Sequence, residues 1–518
     1  MNFGVVPPLC RSHGGALWVL LLGLMVVAVC FPALAQQDPE DVGRWDPPLG
    51  GLPPDGYTWP LQAIHAAHLP SERILVWDFG EGVPEDPPPQ LWNPTDGSFN
   101  VVETGVDFPL YCSGHAALGD GSVLVAGGGP GPGQAHAEAI IFLLTGLGPW
   151  KQVASMNFTR WYPTLTTLAD GGVLATSGSN PNPVAIPEIY NPLAVGPIGT
   201  LGAWSNVPVS PPYKELSNYP FMFVLPQENK VFFAGAVHTP DETPEDDAWT
   251  YTLDVATGEW TFVDFSPFTG EHGSAVMYEP GKVLKSGGAT EGPTENETAI
   301  IDFTEQTPMW ESIFPGMTEP RRHHNLVLLP TGQILAIGGS IDLGAVPVLP
   351  AEWFDPNEPF PVWRPLAEMT RPRAPHSTAV LLRDGRVLAC GGEEFPGHPS
   401  STSAEMFSPP YLFTGEDRPV IGFAPKSISY GQDFRMTAKL IGPGGSVIEK
   451  ATLVRLASVT HSFDHNQRFV ELEIVAQAGN RLTVRPPADG NFAPPGYYMI
   501  FLVTDFGVPS VGEYILVE

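Results

Sequence analysis

One pattern recurs along most of this 518-residue chain: a turn, a short apolar run, then Gly-Gly or a relative of it. It reads Gly119-Asp120-Gly121-Ser122-Val123-Leu124 running to Gly127-Gly128, then Asp170-Gly171-Gly172-Val173-Leu174 to Gly178. It returns as Thr331-Gly332-Gln333-Ile334-Leu335 to Gly338-Gly339 and Asp384-Gly385-Arg386-Val387-Leu388 to Gly391-Gly392. Weaker copies are Lys230-Val231-Phe232 to Gly235 and Gly281-Lys282-Val283-Leu284 to Gly287-Gly288, with a degenerate first copy at Arg73-Ile74-Leu75-Val76-Trp77. The second apolar residue falls at positions 75, 124, 174, 232, 284, 335 and 388. Later in several units comes a strand ending such as Glu188-Ile189-Tyr190-Asn191-Pro192 or Glu352-Trp353-Phe354-Asp355-Pro356. A chain built this way is a series of like units, each needing a neighbour to bury its apolar face.

Asp-Gly supplies the hairpin turn, the apolar run a buried strand, and Gly-Gly a close backbone approach or positive φ. A period near 50 with this punctuation predicts an all-β fold, a seven-bladed kelch-type β-propeller over residues 61–415. After Pro410 the repeat stops. Alternating stretches such as Val470-Glu471-Leu472-Glu473-Ile474 and Tyr498-Met499-Ile500-Phe501 then predict an immunoglobulin-like (early-set) β-sandwich over 416–518. The acidic, Pro-rich residues 36–60 read as a lead-in or a strap.

The first 35 residues read as a secretory signal: an apolar run from Ala16 to Phe31, then small residues at Ala33-Leu34-Ala35, with Gln36 opening the mature chain. An uncleaved anchor is the alternative, and the run is barely long enough to span a bilayer. Removing the signal removes Cys10 and Cys30, leaving Cys112 and Cys390 and no disulfide framework. The net charge of −31 excludes nucleic acid as a partner and disfavours anionic lipid surfaces. The reading is a secreted, extracytoplasmic monomer with no membrane contact after cleavage.

Thr460-His461-Ser462 followed by Asn466-Gln467-Arg468, then Pro495-Gly496-Tyr497-Tyr498-Met499 and Gly507-Val508-Pro509-Ser510, stand in an order and spacing that resemble the copper-radical oxidases. These are the galactose oxidase and glyoxal oxidase group, and the likeness covers roughly residues 60–518. It implies a Cu(2+) site on the propeller axis, with a tyrosine crosslinked by a thioether to cysteine as a tyrosyl-radical cofactor. Imidazole nitrogen and phenolate oxygen suit Cu(II) in tetragonal geometry.

Position by position, the resemblance places the radical tyrosine at Tyr162 and the crosslinking cysteine at Cys112. It places the copper ligands at Tyr162, His376 and His461, and a substrate-contacting arginine at Arg321. Cys112 as an ordinary buried thiol, and Arg321 as half of an internal ion pair, are the competing readings. Two positions depart from the family pattern. Pro375 stands where an axial tyrosine serves as general base, with Tyr111 or His323 as candidate substitutes, and Asn180 stands where galactose oxidase has a stacked tryptophan. The implied activity is oxidation of a primary alcohol, aldehyde or carbohydrate, with O2 reduced to H2O2. The alternative is a non-catalytic exported kelch-propeller used as a binding or structural module.

Overall fold

Each repeat folds as its turn chemistry dictates. Asp120, Asp170 and Asp384 accept, through Oδ1, the backbone N–H two residues further on at 2.9–3.0 Å. The glycines between, Gly121, Gly171 and Gly385, sit at φ 84°, 85° and 88°, where a side chain would be strained. The apolar runs that follow, such as Ile74–Trp77, Val123–Ala126 and Val387–Gly391, are buried along their whole length. That is why these runs show no alternation: both faces are covered.

The computed structural model describes residues 38–51, 56–78, 87–144, 150–196, 200–238, 248–289, 293–342, 346–392, 402–441 and 446–518. The expected signal segment lies outside them. Residues 38–518 form one compact unit. Among the described residues no helix is long and apolar enough to cross a membrane.

The repeats fold into seven antiparallel sheets, and residues 418–517 add a four-stranded and a five-stranded sheet around their own apolar core. One short parallel pair, Ser427–Ile428 with Glu513–Val517, interrupts an otherwise antiparallel architecture. The lead-in contributes Arg44–Asp46 as the outer strand of the seventh sheet, paired with Ala404–Ser408. From the C-terminal part, Ser458–Thr460 pairs antiparallel with His65–His68, His65 opposite Thr460. This extends the first sheet to six strands.

The closed seven-bladed kelch-type propeller expected from the repeat needs correcting. Among the described residues every sheet is an open ladder of four to six strands, and none closes on itself. The repeat specifies the meander inside each unit, whereas closure depends on bonds between units, which the repeat does not encode. At the first sheet the neighbour of His65–His68 is a strand from the far end of the chain.

What links the units is a recurring pair of contacts. The second glycine of Gly-Gly donates its N–H to the carbonyl of an arginine in the next repeat: Gly128 to Arg160 at 2.8 Å, Gly288 to Arg321 at 2.8 Å and Gly339 to Arg373 at 2.5 Å. A Cβ at Gly338 would stand 2.4 Å from the Arg373 carbonyl oxygen, so glycine is required there. Each of these arginines is also half of a buried ion pair within its own sheet: Arg160–Glu188, Arg321–Glu352 and Arg373–Glu405 at 2.8, 2.7 and 3.4 Å. The three glutamates in turn accept backbone N–H groups, such as Thr318 at 2.7 Å and Thr370 at 2.7 Å. With these hydrogen bonds the charges are partnered, Arg373 Nε excepted, and removing one member of a pair strands the other in a dry interior.

We therefore expect Glu352→Gln to cost about 3–5 kcal/mol of stability, read as a shift of the urea midpoint. A loss under 1 kcal/mol would contradict the clamp.

Candidate functional site

Six residues share one unusual backbone state at one position in the repeat. Cys112, Tyr162, Tyr219, His272, His323 and His376 have φ between 47° and 64°. Each lies 12 or 13 residues before the apolar marker of its unit. Left-handed backbone at non-glycine residues is uncommon and costs about 1–3 kcal/mol each, so it persists where the surroundings enforce it. Here neighbouring units bond to one another at these residues. Tyr162 N–H donates to Cys112 O at 3.0 Å, Tyr219 to Tyr162 O at 2.9 Å, and His323 to His272 O at 2.6 Å.

A seventh residue comes from the C-terminal part. His461 and Ser462 connect Ser458–Thr460 to Phe463–Asp464, with φ 46° and 67°. A two-residue hairpin loop of this kind wants Asn-Gly. His-Ser instead puts an imidazole at the tip. The hairpin is braced by Asp464, whose Oδ1 accepts the N–H of Ser458 at 2.8 Å and of Asn466 at 2.9 Å.

These side chains converge. His461 Nε2 lies 3.1 Å from Tyr162 Oη, and its Nδ1 lies 2.7 Å from Thr460 Oγ1. The His376 ring stands edge-on to His461 at 4.6 Å, and Tyr111 Oη is 3.3 Å from His376 Nε2. Tyr162 stacks on Trp161 at 3.7 Å and on Tyr219 at 4.5 Å, and the Tyr219 hydroxyl donates to Ser113 O at 2.9 Å. His272 and His323 face each other at 4.6 Å, with Glu271 Oε1 3.5 Å from His272 Nε2.

Burial decides the charge states. It pushes the Tyr162 and Tyr219 hydroxyls well above the ordinary tyrosine range, with Cys112 and Tyr111 adding to the effect. Burial, then the nearby His376, His65 and His323 rings, pull His461 well below the usual histidine range. At neutral pH Tyr162 and Tyr219 are therefore protonated and His461 is neutral. Beneath it His65 stacks on Trp77 at 4.9 Å, and burial depresses its pKa as well.

Known proteins resemble this chain over most of its length. Residues 418–517 match the family described as Galactose oxidase-like, Early set domain. The chain is 30% identical over 450 residues, 78% of its length and 81% of the relative's, to aldehyde oxidase GLOX of Vitis pseudoreticulata. This chain belongs to the galactose oxidase and aldehyde oxidase family. Another relative, galactose oxidase of Gibberella zeae, is 26% identical over 516 residues, covering 92% of this chain and 71% of that protein. A solved fungal alcohol oxidase of the AA5 family, in complex with copper, shares the fold with a TM-score of 0.75 at 23% identity, covering 92% of this chain and 100% of that one.

Within this family member, the expected cofactor has to be corrected. Cys112 and Cys390 are both buried thiols outside any disulfide, and Cys112 meets Tyr162 through a hydrogen bond where the thioether was expected. Cys112 is within hydrogen-bonding reach of Tyr162 and Tyr111, and burial raises its pKa, which keeps it a thiol. Among the described residues no three or more His, Cys, Asp and Glu side chains group in a way that would hold a metal ion. The Cu(2+) and tyrosyl-radical centre expected at Tyr162, His376 and His461 is therefore not borne out: the described residues show neither that metal-ligand grouping nor the crosslink.

Arg321 also takes the competing reading. It is fully buried, and its guanidinium donates to Glu352, to Gly338 O at 2.7 Å and to Pro350 O at 2.7 Å, leaving the substrate contact unfilled. Sequence reasoning missed Tyr219, His272, Glu271 and His65. The first two were readable from the constant offset to the apolar marker.

One titration tests the hairpin that carries His461. Burial raises the Asp464 pKa from 3.8 to about 6. A carboxyl raised on folding contributes stability that is fully present below pH 3.8 and is lost as pH rises through about 6. Asp464→Asn should flatten stability over that window, where the parent loses up to about 1.4 kcal/mol per pH unit. Urea melts at pH 4, 5 and 6 would show it, and identical slopes in both proteins would refute it.

Proposed function

We propose that this family member is an exported oxidase. It converts a small primary alcohol or aldehyde, free or on a carbohydrate, to the aldehyde or acid while O2 is reduced to H2O2. The observation that carries the reading is the convergence of Tyr162, Tyr219, His376 and His461 on one cluster, with half-buried Tyr111 at its edge. Such a cluster suits a small neutral molecule: phenols donate hydrogen bonds to a hydroxyl or carbonyl oxygen, and neutral imidazoles accept them. For an alcohol the reaction balances as RCH2OH + O2 → RCHO + H2O2. The apolar run from Ala16 to Phe31 supports export.

A second reading, an exported binding or structural module without catalysis, is favoured by the free Cys112 thiol. The two readings part on one assay. Purified protein is incubated with primary alcohols, aldehydes and sugars while O2 uptake and peroxide are followed. Oxidase activity appears as one peroxide per product formed. Folded protein that releases no peroxide with any of them overturns the oxidase reading and leaves the binding module. Tyr162→Phe removes the hydroxyl held by His461 and is expected to lower peroxide release by about 10²-fold or more, with the melting temperature changed little.

A further inference from the structure

The C-terminal part buries two cations side by side. Arg455 closes the strand Ile448–Arg455, and its N–H donates to the carbonyl of Arg468 at 2.9 Å, one step beyond the cross-strand pair Val454 and Phe469. Like charges set directly across a strand pair repel. Here both side chains are also out of water, at 4% and 3% exposed. The groups their guanidiniums reach are neutral. Arg455 donates to Pro495 O at 3.0 Å and lies over the Tyr498 ring at 5.7 Å. Arg468 donates to Val224 O at 2.8 Å and to the Met277 thioether, a weak acceptor, at 2.7 Å. In each residue the Nε–H is buried and has no partner. Arg160, Arg321 and Arg373, by contrast, each meet a glutamate.

Both arginines line one cavity of about 20 Å³, closed on its apolar side by Val276, Leu328 and Leu381 from the inner strands of the fifth, sixth and seventh sheets. Half-buried Asp464 and Gln467 complete the wall. Gln467 is used up: its Oε1 accepts the Met277 N–H at 2.8 Å, and its Nε2 donates to Ala275 O and Asp464 O. Asp464 is the one acid among these lining residues, and its Oδ1 already accepts two backbone N–H groups. Burial, with Arg455 adding to the effect against an opposite pull from Tyr498, lowers the Arg468 pKa to about 10, so it stays charged at neutral pH. Two guanidiniums against one carboxylate leave positive charge over in a dry interior, where an unbalanced charge is costly.

We propose that this cavity is a site for a small monovalent anion, a halide, held by the Nε–H groups of Arg455 and Arg468. The space admits one particle about the size of a water molecule, which rules out sulfate and carboxylates. A water would satisfy the N–H groups and leave the charge, whereas a halide answers both. The proposal stands apart from the oxidase reading. Because Asp464 shares the cavity and braces the His461 hairpin, the ion stabilises the seat of that hairpin.

Two measurements on the purified protein test this. Melting is followed in sodium gluconate, chloride and bromide at one ionic strength, so that screening of the −31 net charge is equal in all three. Chloride and bromide should raise the melting temperature by about 2 °C or more over gluconate, saturating with concentration. Crystals soaked in bromide should show an anomalous peak in the cavity lined by Arg455 and Arg468. Arg455→Gln and Arg468→Gln should each lose the halide increment; if neither folds, the parent melts and the bromide map decide without them. A map with no bromide in the cavity overturns the proposal, as does a melting temperature equal in all three salts or a halide increment that a folded variant retains.

Discussion

The structure depends on a backbone state repeated six times: the residue leading into an inner strand takes positive φ, and at Cys112, Tyr162 and His272 its carbonyl accepts a bond from the lead residue of the next unit. At most such places a chain would carry glycine. Here it carries cysteine, tyrosine or histidine, and each is thereby turned away from its own strand and toward the others. Strain that would be distributed at random in a poorly specified chain is concentrated at one repeat position. The cost of about 1–3 kcal/mol per residue is met by interactions elsewhere in the same units.

Those interactions are the buried arginine–glutamate pairs. Each lies one turn of chain from a lead residue: Arg160 two before Tyr162, Arg321 two before His323, and Arg373 three before His376. The arginine holds its own sheet through glutamate and the preceding sheet through its carbonyl, so the backbone arrives at the lead residue already fixed in position. In a chain with 25 basic and 56 acidic residues, spending arginines in the interior is a strong choice. It also explains why Arg321 is unavailable to a substrate.

Much of the fold was legible because local chemistry wrote it. The Asp-Gly turns, the apolar inner strands and the need for Gly-Gly follow from side-chain hydrogen bonds and sterics within about twenty residues. Closure was not legible, since no pattern inside a unit says which edge meets which, and the pairing of His65–His68 with Ser458–Thr460 joins segments some 390 residues apart. At the site, Tyr162 and His376 each lie against His461. The bond between Cys112 and Tyr162 and the metal grouping are not seen, because they require chemistry and donor counts that position alone does not guarantee. Tyr219 and His272 were hidden by weak copies of the repeat, where Pro220 and Gly273 blur the strand start.

The His461 hairpin has a consequence for timing. Its imidazole reaches the cluster only when residues 458–464 have paired with the first sheet, and the seventh sheet is completed by Arg44–Asp46 from the opposite end. Early-made strands thus wait for late-made ones at both ends of the repeat array. A nascent or truncated chain carries most of the sheets but no assembled centre. Whatever the cluster does is therefore withheld until residues 458–464 have been made and paired with the first sheet.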